Sequence, residues 1–157
     1  MAIRTPSIRI VSGVFLVLSL ASSLSAYTEN KGSHKVCFNG YCFRVELAIT
    51  ESEREKGLMF RDHLALNNGM LFVYKHENIY PFWMKNTKIP LDMIWINGQR
   101  QVVFIEENVS PCGSDECVPV YPDKRAKYVL EINSGSARKI GLKPGDKLSF
   151  YNIPQLF

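Results

Sequence analysis

Val36-Cys37-Phe38-Asn39-Gly40-Tyr41-Cys42-Phe43 is the stretch whose reading settles the class of fold. Asn-Gly is the strongest two-residue hairpin signal, because both central residues of the favoured turn take positive φ. Folding about Asn39-Gly40 sets Phe38 opposite Tyr41 as the hydrogen-bonded pair. Cys37 then faces Cys42 at the next, non-hydrogen-bonded rung, where Cα atoms lie about 4.5 Å apart. That is within the roughly 4.4–6.8 Å a disulfide spans. The reading predicts a β-hairpin closed by a Cys37–Cys42 bridge.

Working outward, short β-like runs alternate with turns. Phe43-Arg-Val-Glu-Leu-Ala48 alternates apolar and polar residues, as a half-buried strand does. Thr50-Glu-Ser-Glu53 is a capping box that opens a short helix to about Lys56, with Gly57 as its C-cap. Gly69 to Tyr74 reads as a buried strand, and Leu91–Ile96, Asn97-Gly98 and Gln101–Ile105 read as a second hairpin on the same turn signal. Cys112 to Lys127 is a proline-bearing loop too long to be a plain connector. Lys127 to Ile132 is another strand, Ser134 to Ile140 a short helix, and Lys147 to Tyr151 the last strand. Two helices of about two turns cannot form a helical layer, so the expected architecture is mainly β, a sandwich or a distorted barrel.

The opening of the chain has the pattern of a secretory signal. Arg4 and Arg9 precede an apolar run from Ile10 to Leu20, and small residues cluster from Ala21 to Ala26. The run is well short of the roughly 20 residues that span a bilayer. The expectation is a signal peptide over 1–26, a disordered leader over 27–35 and one β-domain over 36–153, in an exported protein, periplasmic or secreted. About 130 residues then remain, enough for one core. Losing residues 1–26 removes two arginines and no acid, so the formal net charge falls from +4 to +2. That balance gives no support to nucleic-acid or anionic-membrane binding.

All four cysteines follow the signal: Cys37, Cys42, Cys112 and Cys117. An oxidising compartment favours disulfides over a four-thiolate zinc site, which more often uses C-x₂-C spacing. With Cys37 and Cys42 paired, Cys112 and Cys117 pair by elimination. A dithiol redox role is disfavoured because Asp115 and Glu116 oppose a thiolate. His34, His63 and His76 are scattered, with no metal-ligand spacing, no nucleophile elbow and no phosphate loop. Neither a metal nor another cofactor is expected.

Several pieces in fixed order carry a family resemblance: Glu55-Lys-Gly-Leu-Met-Phe-Arg61, Gly69-Met-Leu-Phe-Val73, Phe82-Trp-Met-Lys-Asn-Thr87, Ile89-Pro-Leu-Asp-Met-Ile94, Pro111-Cys with Cys117, Tyr128-Val-Leu-Glu-Ile132 and Gly141-Leu-Lys-Pro-Gly-Asp146. From about Val36 to Asn152 the chain resembles DUF192, a family without an assigned function. The resemblance implies a small single-domain β-sandwich of jelly-roll type, often exported and without a bound cofactor. This chain departs from it at Cys117-Val-Pro119, where the family usually has Cys-Pro, and the Cys37/Cys42 pair is an addition.

The candidate site lies in the run Pro81 to Asn97. Two-fold alternation puts Trp83, Lys85 and Thr87 on one face and Phe82, Met84 and Asn86 on the other. Asp92 enters a strand apolar on both faces and needs a partner, for which Lys85 and Arg61 are the candidates. Arg61, Trp83, Lys85, Asn86, Asp92 and Glu131 are therefore the expected ligand-binding residues, a polar cluster beside an aromatic wall that suits a small polar ligand or a glycan. In the competing structural reading Asp92 pairs with a cation and caps the turn after Pro90, while Trp83 and Met84 are ordinary core. The favoured function is a non-catalytic exported domain that binds a small polar ligand, a glycan or an envelope protein, also through the 108–127 loop. The alternative is a cell-envelope carbohydrate-active enzyme using Asp92 or Glu131 with Lys85 or Arg61. A second alternative is a dithiol redox or metal protein.

Overall fold

Asn39 and Gly40 both take positive φ, 46° and 83°, so the first turn closes as its sequence requires. The structure is a computed structural model, and it describes residues 32–113 and 116–156. The expected signal peptide therefore lies outside the described residues, as do positions 27–31 of the leader. Strands β1 (Lys35–Phe38) and β2 (Tyr41–Ala48) flank the turn, with Phe38 opposite Tyr41 and Cys37 opposite Cys42. The two cysteines are bonded, as are Cys112 and Cys117. Positions just before β1 are held as well: the His34 carbonyl accepts from Val45 N–H, and its ring bonds the Asn152 carbonyl at 2.6 Å.

Helix α1 (Glu51–Lys56) begins with the capping box, Thr50 accepting from Glu53 N–H while the Glu53 carboxylate takes the Thr50 N–H. β3 (Asn68–Asn78) follows and runs parallel to β2. Its expected end at Tyr74 is exceeded because the sheet ladder continues, past an irregularity, through polar residues that carry no burial signal. β4 (Leu91–Ile96) and β5 (Val102–Val109) form the second hairpin. Its turn differs from the expected two-residue form. Arg100 N–H bonds the Asn97 carbonyl, the Asn97 side chain accepts from Gln99 and Gln101, and the positive φ falls on Arg100 at 65°. That is a type I turn followed by a left-handed residue, the next commonest hairpin connection. β6 (Ala126–Asn133), α2 (Ser136–Ile140) and β7 (Ser149–Tyr151) complete the chain.

All seven strands join one mixed sheet in the order β5-β4-β6-β3-β2-β1-β7. The mainly-β expectation with two short helices holds, and the sheet is not closed. The isolated bridge from Gln101 to Lys147 links the approaches to the two edge strands. Because side chains alternate across a strand, the sheet carries a core on each face. One gathers Val36, Val45, Leu71, Ile94, Val102 and Leu130, and α2 adds Ala137. The other gathers Met70, Phe72, Met93, Trp95 and Val129 under Leu58, Leu64, Phe82 and Met84. β4 is buried at every position, as its two apolar faces demand. Gly69 is required by closeness rather than φ: a Cβ there would lie 2.6 Å from the Glu131 carbonyl oxygen. β3 and β6 meet at that point, which fixes the level of Glu131 in the sheet.

Candidate functional site

Phe82 and Met84 are driven into the second core, and that decides where Trp83 goes. The Phe82 ring meets Phe72 edge-on at 4.8 Å and Trp95 at 5.7 Å. With its neighbours buried at 8 % and 3 % exposure, Trp83 stands outward and remains 51 % exposed. The structural reading that made Trp83 ordinary core does not describe it. Segment 81–90 is not a ladder strand. It is clamped to the cysteine loop by Phe82–Val120 backbone bonds of 3.0 and 2.7 Å, by Asn86 N–H to the Cys112 carbonyl and by Cys112 N–H to the Met84 carbonyl. Asn86 takes φ 55° and turns the segment away, a conformation asparagine tolerates. Its carbonyl accepts from Phe60 N–H at 2.7 Å, and Phe60 itself has φ 63° and an exposed ring.

Glu131 lies on β6 directly between Met70 of β3 and Met93 of β4, facing the second core. It is 4 % exposed, and no hydrogen bond or ion pair reaches its carboxyl among the described residues. Burial pushes that carboxyl up to about 8. It opens into a cleft of about 90 Å³ whose lining also includes Arg54 and Lys56 of α1, Met59, Phe72, Tyr74, Trp83, Lys85 and Thr87. The Tyr74 ring stacks on Tyr80 at 3.5 Å, and the Arg54 guanidinium lies over it at 4.9 Å. Burial raises the Tyr74 hydroxyl well above the usual tyrosine range. The Lys85 ammonium stands 5.8 Å from the Trp83 ring centre.

Three of the six expected residues, Trp83, Lys85 and Glu131, thus line one cleft. Asn86 shapes its wall through the backbone. Arg61 makes a two-pronged pair with Glu46 of β2, both contacts at 2.5 Å, and that guanidinium holds the Glu46 carboxyl below its ordinary value. Asp92 lies on the other face of the sheet. Its partners are not the expected cations but backbone N–H groups: Asn108 at 2.9 Å, Gly135 at 3.1 Å and Ala137 at 2.9 Å. Helix α2 lacks a side-chain cap of its own. Asp92 supplies that cap from a neighbouring strand, satisfying donors a helix start leaves open.

Sequence reasoning missed Arg54, Met59, Tyr74 and Thr87. Tyr74 was recoverable, since strand alternation places it on the face of Phe72. Arg54 and Met59 were not, because nothing local says that the end of α1 folds against β3 at the cleft.

The model of the family DUF192, described as "Uncharacterized ACR, COG1430", matches residues 34–150. The chain belongs to the DUF192 family. A UPF0127 protein of Thermococcus gammatolerans is 30% identical over 112 residues, 68% of this chain and 65% of the relative, so the match spans under two thirds of that protein. A Novosphingobium aromaticivorans protein of unknown function, known by its crystal structure, is 40% identical with a TM-score of 0.67, covering 74% of this chain and 82% of its own. A Sinorhizobium meliloti protein, described as a candidate transcription regulator, is 34% identical with a TM-score of 0.66, covering 76% and 92%. Family membership brings the fold with it and leaves the ligand to be argued from the cleft.

Proposed function

We propose that this chain is an exported, non-catalytic binding domain that holds a small polar ligand in the Glu131 cleft, with Trp83 as a stacking platform beside it. The observation that carries the reading is Glu131 itself. A carboxyl set between two methionines without a partner destabilises the fold, and packing alone would favour an apolar residue there. A polar ligand that reaches the cleft supplies the missing partner. The volume of about 90 Å³ equals the share of about three waters, so one end of a ligand enters while the rest lies against Trp83 and Lys85. A free sugar, a glycan end or an exposed group of an envelope protein fits that description. Export is supported by the pattern of residues 1–26 and by the two closed disulfides. Among the described residues, no helix is long and apolar enough to cross a membrane.

The two-carboxylate enzyme reading loses its geometric basis. Asp92 and Glu131 point to opposite faces of the sheet, and both oxygens of Asp92 are engaged by backbone N–H groups. The dithiol reading meets two bonded pairs and no free cysteine among the described residues. A regulator role like that ascribed to the Sinorhizobium relative draws no support from a formal charge of +4, which falls to +2 once residues 1–26 are removed.

Native mass spectrometry of protein isolated from its own exported fraction tests the proposal. The expected result is a retained small molecule that both Trp83→Ala and Glu131→Gln lose while remaining folded. Retention by both variants would overturn the assignment of the site. Carbohydrate turnover abolished by Glu131→Gln would replace binding with catalysis.

A further inference from the structure

Taking the cleft as the ligand site, we infer that it is built for a small zwitterion, an α-amino acid being the simplest, with the ammonium against Glu131 and the carboxylate toward the cations of the rim. Three features of the cleft converge on that class. The Glu131 carboxyl lines it with no hydrogen bond or ion pair among the described residues, and an ammonium brings three donors to such a group. Phe72 and Phe82 also line it, and aromatic rings attract a cation within about 6 Å of the ring centre.

The remaining lining has the opposite sign. Arg54 and Lys56 from α1 bring positive charge, against Glu55 alone among the other acids of the lining, and Lys85 from the 81–90 segment, which has a partner of its own, lies beside them. Nη1 of Arg54 donates to the carbonyls of Ile49 and Val73 and the guanidinium lies over the Tyr74 ring, which fixes its charge at the cleft wall. Among the described residues none of those cations makes an ion pair with the Glu131 carboxyl. The cleft is therefore bipolar. A bare cation is repelled by the cationic groups, and a bare anion leaves the buried acid unmatched. A molecule with both charges answers both, and the ammonium end of a small amino acid fits within the cleft volume of about 90 Å³.

The arrangement sets the sign of the pH dependence. The ionisable groups facing the cleft besides Glu131 are Arg54, Glu55, Lys56, Tyr74 and Lys85, with no histidine among them. An ammonium is held by the ionised carboxyl, and burial keeps the proton on Glu131 up to about 8. Affinity then rises with pH, by up to about tenfold per unit until that value, with one proton released for each ligand bound at lower pH.

Calorimetry on the disulfide-bonded protein tests this with glycine, L-alanine and D-alanine, using acetate, methylamine and glucose as single-charge and neutral probes. The amino acids are expected to bind at least about tenfold more tightly than acetate or methylamine, and Glu131→Gln to weaken them at least about tenfold. Acetate binding as tightly as the amino acids, or affinity falling as pH rises, would overturn the inference by making Glu131 a donor to a carboxylate. Binding of glucose alone, lost in Trp83→Ala, would sink the zwitterion and keep the cleft as a ligand site. If no probe binds and the native protein carries no retained mass, both the inference and the ligand site fall.

Discussion

Glu131 and Asp92 sit on adjacent strands one register step apart, and the sheet separates their carboxyls completely. Asp92 is satisfied and structural. Asp92→Ala would leave three backbone donors and the start of α2 without an acceptor, a loss of about 3 kcal/mol or more, with ligand affinity unchanged in the folded fraction. Chemical denaturation together with a binding isotherm separates the two effects. Glu131 behaves in the opposite sense. The unfolded chain loses this proton near the ordinary value of 4.5, whereas the folded protein keeps it to about 8. Between those limits the native state binds the extra proton, so stability falls as pH rises. At about 1.4 kcal/mol per pH unit the loss from pH 5 to pH 8 approaches about 4 kcal/mol. Glu131→Gln is therefore expected to be more stable than the parent at pH 8 and equal to it near pH 4.5, as read from urea midpoints across that range. A pH-independent difference would show that the carboxyl is not buried as described. Sequence alone singled out both acids but could not tell them apart. Strand alternation says that Asp92 and Glu131 each face apolar neighbours, and the deciding fact, which N–H groups arrive from α2 and β5, is non-local.

Among elements, the cysteine loop and the 81–90 segment act as one. Cys112 is hydrogen-bonded on both sides to the backbone that carries Trp83 and Lys85, so the Cys112–Cys117 bridge braces the cleft wall. The Cys37–Cys42 bridge closes a hairpin that does not line the cleft. Serine replacement of either pair is expected to cost up to about 2 kcal/mol, the short-loop end of the usual range. Loss of the 112/117 pair should also speed amide exchange over residues 83–86 and weaken the ligand, while loss of the 37/42 pair leaves both unchanged. Equal effects from the two pairs would show that the loop does not position the wall. The legible elements were those with local chemistry: the Asn39-Gly40 turn, the Thr50/Glu53 box and the two-faced apolar strand from Leu91. Asn97-Gly98 misled because the same dipeptide also serves a longer turn, and the choice is made by Asn97 side-chain bonds to Gln99 and Gln101.

At the scale of the molecule, nothing local in the sequence says that β2 and β3 run parallel or that one sheet carries two cores. Those follow from α1 carrying the chain back between β2 and β3, and from β6 entering between β3 and β4. A chain ending at Arg125 lacks β6, so β3 and β4 share no ladder and each core loses its middle. Circular dichroism of such a truncation is expected to show an unfolded chain, and a cooperative melt would contradict the central role of β6. The position of that strand also governs timing. The middle of the sheet is among the last parts to be synthesised, and β7, which covers the outer edge of β1, comes later still. A polypeptide emerging from the ribosome can build its first hairpin early but cannot complete either core until its final quarter is free. If the chain is exported as proposed, that late closure keeps it open for passage through a membrane, an advantage written into the strand order.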